Sequence, residues 1–207
     1  LAIIPFYGAR DRELYAIERA AMDRRGRVPA RLDALLPTGL VLDVGAGDGF
    51  TASRLAAGGR TVVPMEPAAG MIDRGRHLPW VRGDAERLPF GDGAFAAAYS
   101  TWAYFFPRDL DIARGLAEME RAVRAGGAIV VVDNAGGDEF CAMAEGAIHA
   151  DLEFWRMVGF EIEVIETAFA FDSIEDATRL LTFFFGERAR PALEVEFNAA
   201  VMVKIAR

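Results

Sequence analysis

The sequence predicts a single α/β domain, with helices packed on both faces of a seven-stranded, mostly parallel sheet. Three observations predict it. Short apolar runs of strand character alternate with helical periodicities along most of the 207 residues, which is the pattern of a parallel sheet. The first such run ends in three closely spaced glycines that lead straight into a helix. The last two strand-like runs are longer and amphipathic, as an antiparallel pair near a sheet edge would be.

Taken in order, residues 11–25 place Leu14, Ile17 and Ala21 at helical spacing among charges, and 30–36 form a second short helix. Pro37-Thr38-Gly39 breaks the chain before a buried strand at 40–44. A helix over 49–58, a strand over 61–65, a helix over 68–75 and a strand over 79–83 follow. A strand at 94–100 precedes a helix over about 108–125, whose exit carries Gly126-Gly127 as a stop signal. The run AIVVVD gives a buried strand at 128–133. A helix at 138–158, an alternating strand at 160–171, a helix at 173–185 and a final strand at 197–206 complete the chain. Pro64 stands inside the second strand, where a central position would tolerate it poorly. With no repeat and no linker, 1–207 reads as one domain. It divides into an N-terminal helical cap (1–37), a core (38–134) and a C-terminal part of the sheet with an inserted helix (135–207).

Composition narrows the function. Apolar types make up 53% and charged types 26%, enough for a true core and too apolar for disorder. Against 23 Lys and Arg stand 31 Asp and Glu, a net charge of -8. Binding dominated by nucleic-acid phosphates wants the opposite sign. The single Cys141 cannot form an internal disulfide, which fits a reducing cytoplasm. The opening LAIIPFY lacks the basic start of a signal peptide, and the longest apolar stretch, 95–106, is too short to span a bilayer. The first residue is not Met, so the start of the chain is left open. Two histidines and one distant cysteine make no metal cluster.

The informative segment is LVLDVGAGDGF at 40–50. Gly45, Gly47 and Gly49 let the backbone approach a ligand that any Cβ would obstruct. A dinucleotide turn reads G-x-G-x-x-G and sets a pyrophosphate on the helix N-terminus. Here the spacing is G-x-G-x-G, and Asp43 stands two positions before the first glycine. A carboxylate there repels a pyrophosphate and attracts an ammonium or sulfonium, so a cationic amino-acid nucleoside is the better match.

At this motif the chain resembles the class I, Rossmann-like S-adenosylmethionine-dependent methyltransferases, in particular the type-11-like group that acts on small molecules. DVGAGDG matches the family's first motif in full, and the good motifs run from about 38 to 134. The resemblance implies S-adenosyl-L-methionine as cofactor and a sheet whose last strand is antiparallel. It implies cofactor contacts from Asp43, Gly45, Ala46, Gly47 and Gly49. Glu66, followed by Pro67, ends the second strand where the family's acid holds both ribose hydroxyls. Asp84 and the amide of Ala85 end the third strand, where the family reads the adenine edge. Ser100 lies in the stretch resembling the fourth motif. Ala96 replaces the usual Asp after Phe95, and Ala125 stands where a proline is common before the two glycines.

The acceptor side is less defined. Trp102 and Tyr104 follow the fourth strand, where the family's acceptor pocket begins. Together with Tyr7 and the stretch after Asp133 they are the expected lining of a compact, largely aromatic pocket. His149 is the tempting base, yet Glu145, Glu153 and Arg156 at helical spacing around it read as a solvated stripe. No catalytic residue is singled out. No N-P-P-Y-type loop is present, which with the acidic charge favours a small-molecule acceptor and no nucleic-acid or membrane partner. Oligomeric state is left open. The rival readings are a nucleoside-binding sensor without catalysis and, less well matched, an NAD-dependent oxidoreductase.

Overall fold

The computed structural model describes residues 7–103 and 112–207. Two N-terminal helices, α1 (Arg12–Ala21) and α2 (Arg27–Leu35), precede the first strand, β1 (Gly39–Val44). Then come α3 (Phe50–Ala56), β2 (Arg60–Met65), β3 (Phe95–Thr101), α4 (Ile112–Ala122) and β4 (Val123–Asn134). Two short helices, α5 (Glu139–Ala142) and α6 (Leu152–Met157), lead to β5 (Glu161–Ala170), α7 (Ile174–Phe185) and β6 (Glu194–Ile205).

Among the described residues these strands form one six-stranded sheet in the order β2-β1-β3-β4-β6-β5. The first four run parallel, and β6 is antiparallel to both β4 and β5. The strand expected at 79–83 is reduced to one parallel bridge, Met65↔Val81. Pro79 and Gly83 flank too short an apolar run to hold a ladder. That reduction makes β2 the edge strand, which is where Pro64 is tolerated. The helix expected at 68–75 is only a 3₁₀ turn at Arg74–Arg76, because Gly70 and Gly75 weaken any longer helix. The helix expected at 138–158 is broken between α5 and α6. There Ala150 donates to the Asn134 carbonyl at 2.9 Å, and Asn134 Nδ2 donates to the Ile148 carbonyl at 2.6 Å.

Side chains alternate across the strands and divide the core in two. Val41, Tyr99, Val130 and Val132 face the layer of α1, α2, α3 and α7, while Leu42, Ala98, Ile129 and Val131 face α4 and α6. Asp23 fixes the N-terminal helices to the sheet. Its carboxylate caps α2 through the amides of Arg27 and Val28 and accepts the Thr167 hydroxyl of β5 at 2.7 Å. No described helix is long and apolar enough to cross a membrane.

Candidate functional site

The C-terminal ends of β1, β2 and β3 meet at the glycine turn. A parallel sheet gathers ligand-binding groups at this edge because its connecting loops emerge there. Gly45, Gly47 and Gly49 all have left-handed backbone, with φ of +75°, +56° and +77°. The amides of Gly45 and Ala46 donate to the Met65 carbonyl at 2.9 and 3.0 Å, tying the turn to the end of β2. Glu66, 7% exposed, takes the Gly47 amide on Oε2 at 2.9 Å and the Ala68 amide on Oε1 at 2.8 Å. One carboxylate thus holds the turn and the start of the next loop together.

Asp43 lies beneath the turn and is 1% exposed. Its Oδ2 accepts the Tyr99 hydroxyl at 2.8 Å, while Oδ1 is buried with no hydrogen-bond partner. Burial pushes the Asp43 carboxyl up to about 7; the Tyr99 hydroxyl opposes this and the nearby Glu66 adds to it. Burial also raises Glu66, against the two amides that favour its charged form. Two buried carboxylates that pair with no arginine or lysine among the described residues form an unusual arrangement. It is one that a bound cation would complete.

The sequence-predicted residues do not all come together. Asp43, Gly45, Ala46, Gly47, Gly49 and Glu66 are brought together at this edge, with Pro67 beside Glu66. Asp84 and Ala85 lie half-buried on the following loop, where Asp84 Oδ1 accepts the Glu86 amide at 3.0 Å. Ser100 is fully buried, and its hydroxyl donates to the Val44 carbonyl at 2.8 Å, bracing β3 against β1. Trp102 follows β3 with φ of 50°, its indole nitrogen buried and unpartnered. Tyr104 and the side chain of Tyr7 lie outside the described residues. His149 is not on a helix; its ring packs against Gly136 and Nδ1 lies 3.1 Å from the Ala150 carbonyl. Among the described residues no group of side chains could hold a metal ion.

Two residues at the site were not foreseen. The Tyr15 hydroxyl of α1 would stand 2.8 Å from a Cβ on Gly47, and it accepts the Asp48 amide. The Trp80 ring would come within 2.7 Å of a Cβ on Gly49. Both rings roof the turn from distant parts of the chain. Beside them Asp48 pairs with Arg19 at 3.2 Å and Arg76 at 3.1 Å, and both guanidinium groups lie against the Phe50 ring.

Residues 42–131 match the family model described as a methyltransferase domain, Methyltransf_11. That stretch is under half of the chain; over it the chain is similar to the class I, Rossmann-like S-adenosylmethionine-dependent methyltransferases, and the sheet order and glycine turn agree with that likeness. The likeness extends to proteins named demethylmenaquinone methyltransferases. That of Mycolicibacterium gilvum is 40% identical over 101 residues, 48% of this chain and 43% of that protein. That of Beutenbergia cavernae is 41% identical over 118 residues, 54% of this chain and 48% of that protein. The chain therefore spans less than half the length of either relative. A methyltransferase of Thermotoga maritima superposes with a TM-score of 0.65 and 20% identity, covering 98% of this chain and 100% of that one. The [4+2]-cyclase SpnF superposes at 0.59 and 20% identity, covering 88% and 81%. At those identities the likeness is one of fold.

Methyltransferases of this class take their methyl group from S-adenosylmethionine, and the residues present fit that group. Asp43 Oδ1 lacks a partner, the turn has glycine wherever φ is positive, and each Glu66 oxygen retains a free lone pair.

Proposed function

We propose that the chain transfers the methyl group of S-adenosylmethionine to a small-molecule acceptor, in the cytoplasm and without a nucleic-acid partner. The observation that carries this reading is the pair of buried carboxylates, Asp43 and Glu66, flanking a glycine turn, with no basic side chain among the described residues paired to either. A cationic nucleoside answers that charge, whereas a dinucleotide pyrophosphate would be repelled by it. In this reading Asp43 offsets the cofactor's positive charge and Glu66 holds its ribose hydroxyls. Asp84 and the Ala85 amide take the adenine edge. The Cβ-free backbone of Gly45, Gly47 and Gly49 leaves room for the amino-acid tail.

When bound, the cofactor supplies an electrophilic methyl group on sulfur. The protein's task is then to hold the acceptor in line with it and to exclude water, and positioning alone can supply much of the rate. The relatives named demethylmenaquinone methyltransferases favour a hydroxylated aromatic acceptor. The test is methyl transfer from radiolabelled S-adenosylmethionine to a panel of naphthols, hydroquinones and aliphatic amines. Label in a naphthol or hydroquinone supports the reading, and a preference for the amines overturns the aromatic class.

A further inference from the structure

Near the end of β4, directly after the apolar run Ala128 to Val132, stands a buried carboxylate. Asp133 is 2% exposed. Its one hydrogen bond among the described residues is from the amide of the next residue, Asn134, at 2.9 Å. No described arginine or lysine pairs with it, and burial pushes its carboxyl up to about 7. Its polar neighbours differ. Asn134 anchors the segment before α6, while Asp138 caps α5 and accepts the Asn198 amide at 3.0 Å. A buried carboxylate with no cationic partner among the described residues is costly to ionise, and such groups collect at functional sites.

The pleat shows what lies beside it. Asp133 pairs with Ala200 and so lies on the face of Ala98, Ile129 and Val131. In β3 the same row runs through Ala98 and Ser100, and Trp102 would be its next member, opposite Asp133. The left-handed backbone of Trp102 breaks that alternation. Its amide still donates to the Val132 carbonyl at 2.8 Å, but the ring turns to the other face and lies 6.2 Å from the Phe197 ring. The row beside Asp133 thus receives no side chain from position 102, and the strain at Trp102 keeps it that way. The other titratable groups near this strand end are Cys141, Asp138 and His149. The Cys141 thiol, which feels both Asp138 and Asp133, is pushed up to about 12 and stays protonated. His149 packs on Gly136.

We propose that Asp133 is the proton acceptor of the acceptor pocket, taking the hydroxyl proton of an aromatic alcohol or hydroquinone as that substrate is methylated. This rests on the methyl-transfer reading above. The balance is simple. The O–H bond breaks and its proton goes to the Asp133 carboxylate. The acceptor's electron pair forms the bond to the methyl carbon, and the carbon–sulfur pair returns to sulfur, leaving a neutral thioether. The protonated Asp133 then loses its proton to water.

The experiment compares the wild-type protein with Asp133→Asn, a nearly isosteric change that removes a buried charge. Calorimetry with S-adenosylhomocysteine comes first and is expected to give the same affinity for both. Next, 1-naphthol and 1-methoxynaphthalene are titrated by fluorescence into each complex between pH 5.5 and 8.5. The wild type is expected to bind the naphthol about tenfold more tightly at pH 8.5 than at pH 5.5. In Asp133→Asn that pH dependence vanishes, and the ether responds to neither pH nor substitution. If S-adenosylhomocysteine does not bind the wild type, the methyl-transfer reading falls and this inference with it. If it binds but naphthol is absent from the site or indifferent to Asp133, this inference alone is overturned.

Discussion

Replacing Asp43 with asparagine should make the ligand-free protein more stable at alkaline pH while damaging cofactor binding. The Asp43 carboxyl sits at about 7 in the fold against 3.8 when exposed, mainly through burial. The native state therefore holds its proton more tightly than the unfolded chain does. That preference contributes stability fully below the unfolded value of 3.8, and it is lost progressively as pH rises towards 7. At roughly 1.4 kcal/mol per pKa unit the full span amounts to about 4 kcal/mol. An asparagine has no charge to bury and still offers an oxygen to the Tyr99 hydroxyl. Urea unfolding should then show the variant gaining on the wild type from pH 5 to pH 8, by about 2–4 kcal/mol at the upper end. Calorimetry at pH 8 should show S-adenosylmethionine binding weakened at least tenfold, since the buried anion that faced a cation is gone. In the wild type, affinity should rise with pH to about 7 and then level off. A variant that is less stable at pH 8 and binds the cofactor normally would refute the reasoning.

Three further outcomes are expected. Glu66→Ala should lose about 2–4 kcal/mol of stability, because the Gly47 and Ala68 amides lose a charged acceptor worth about 1.5–3 kcal/mol each when counted separately; thermal melting checks this, and S-adenosylhomocysteine affinity should fall at least tenfold alongside. Gly47→Ala forces a left-handed alanine, costing roughly 1–2 kcal/mol, and sets its Cβ 2.8 Å from the Tyr15 hydroxyl; both melting temperature and cofactor affinity should drop. Tyr15→Phe leaves the Asp48 amide without its phenol partner. A stability loss of about 1 kcal/mol in urea is expected, with weaker cofactor binding by calorimetry.

What could be read from sequence was what is local in sequence. The strand, glycine turn and helix at 40–50 are contiguous, so spacing alone located Asp43 and the three glycines. The antiparallel pair at the end was legible because both strands are long and amphipathic, and β5 does form the sheet edge. The third strand shrinks to a bridge because Trp80 and Val81, between Pro79 and Gly83, make too short an apolar run for a ladder, a limit that the alternation of strands and helices masks in the sequence. The end of α4 was not legible either; it stops at Ala122 because Val123 already pairs with Phe95. Gly127 is needed instead for close packing, where a Cβ would meet the Ala96 carbonyl at 2.5 Å. Tyr15 and Trp80 were missed because their importance lies in contacts made far along the chain. Periodicity marks Tyr15 only as one more helical residue. In the sequence Asp133 only ends a strand; its burial becomes visible once β3 and β6 flank β4.

The central claim is that an adenosyl amino-acid ligand, and not a dinucleotide, occupies the glycine turn. Calorimetric titration of the wild-type protein with S-adenosylhomocysteine and, separately, with NADH tests it most directly. One-to-one binding of S-adenosylhomocysteine that Glu66→Ala weakens at least tenfold, with no heat from NADH, is the predicted result. Saturable NADH binding with no response to S-adenosylhomocysteine would contradict it.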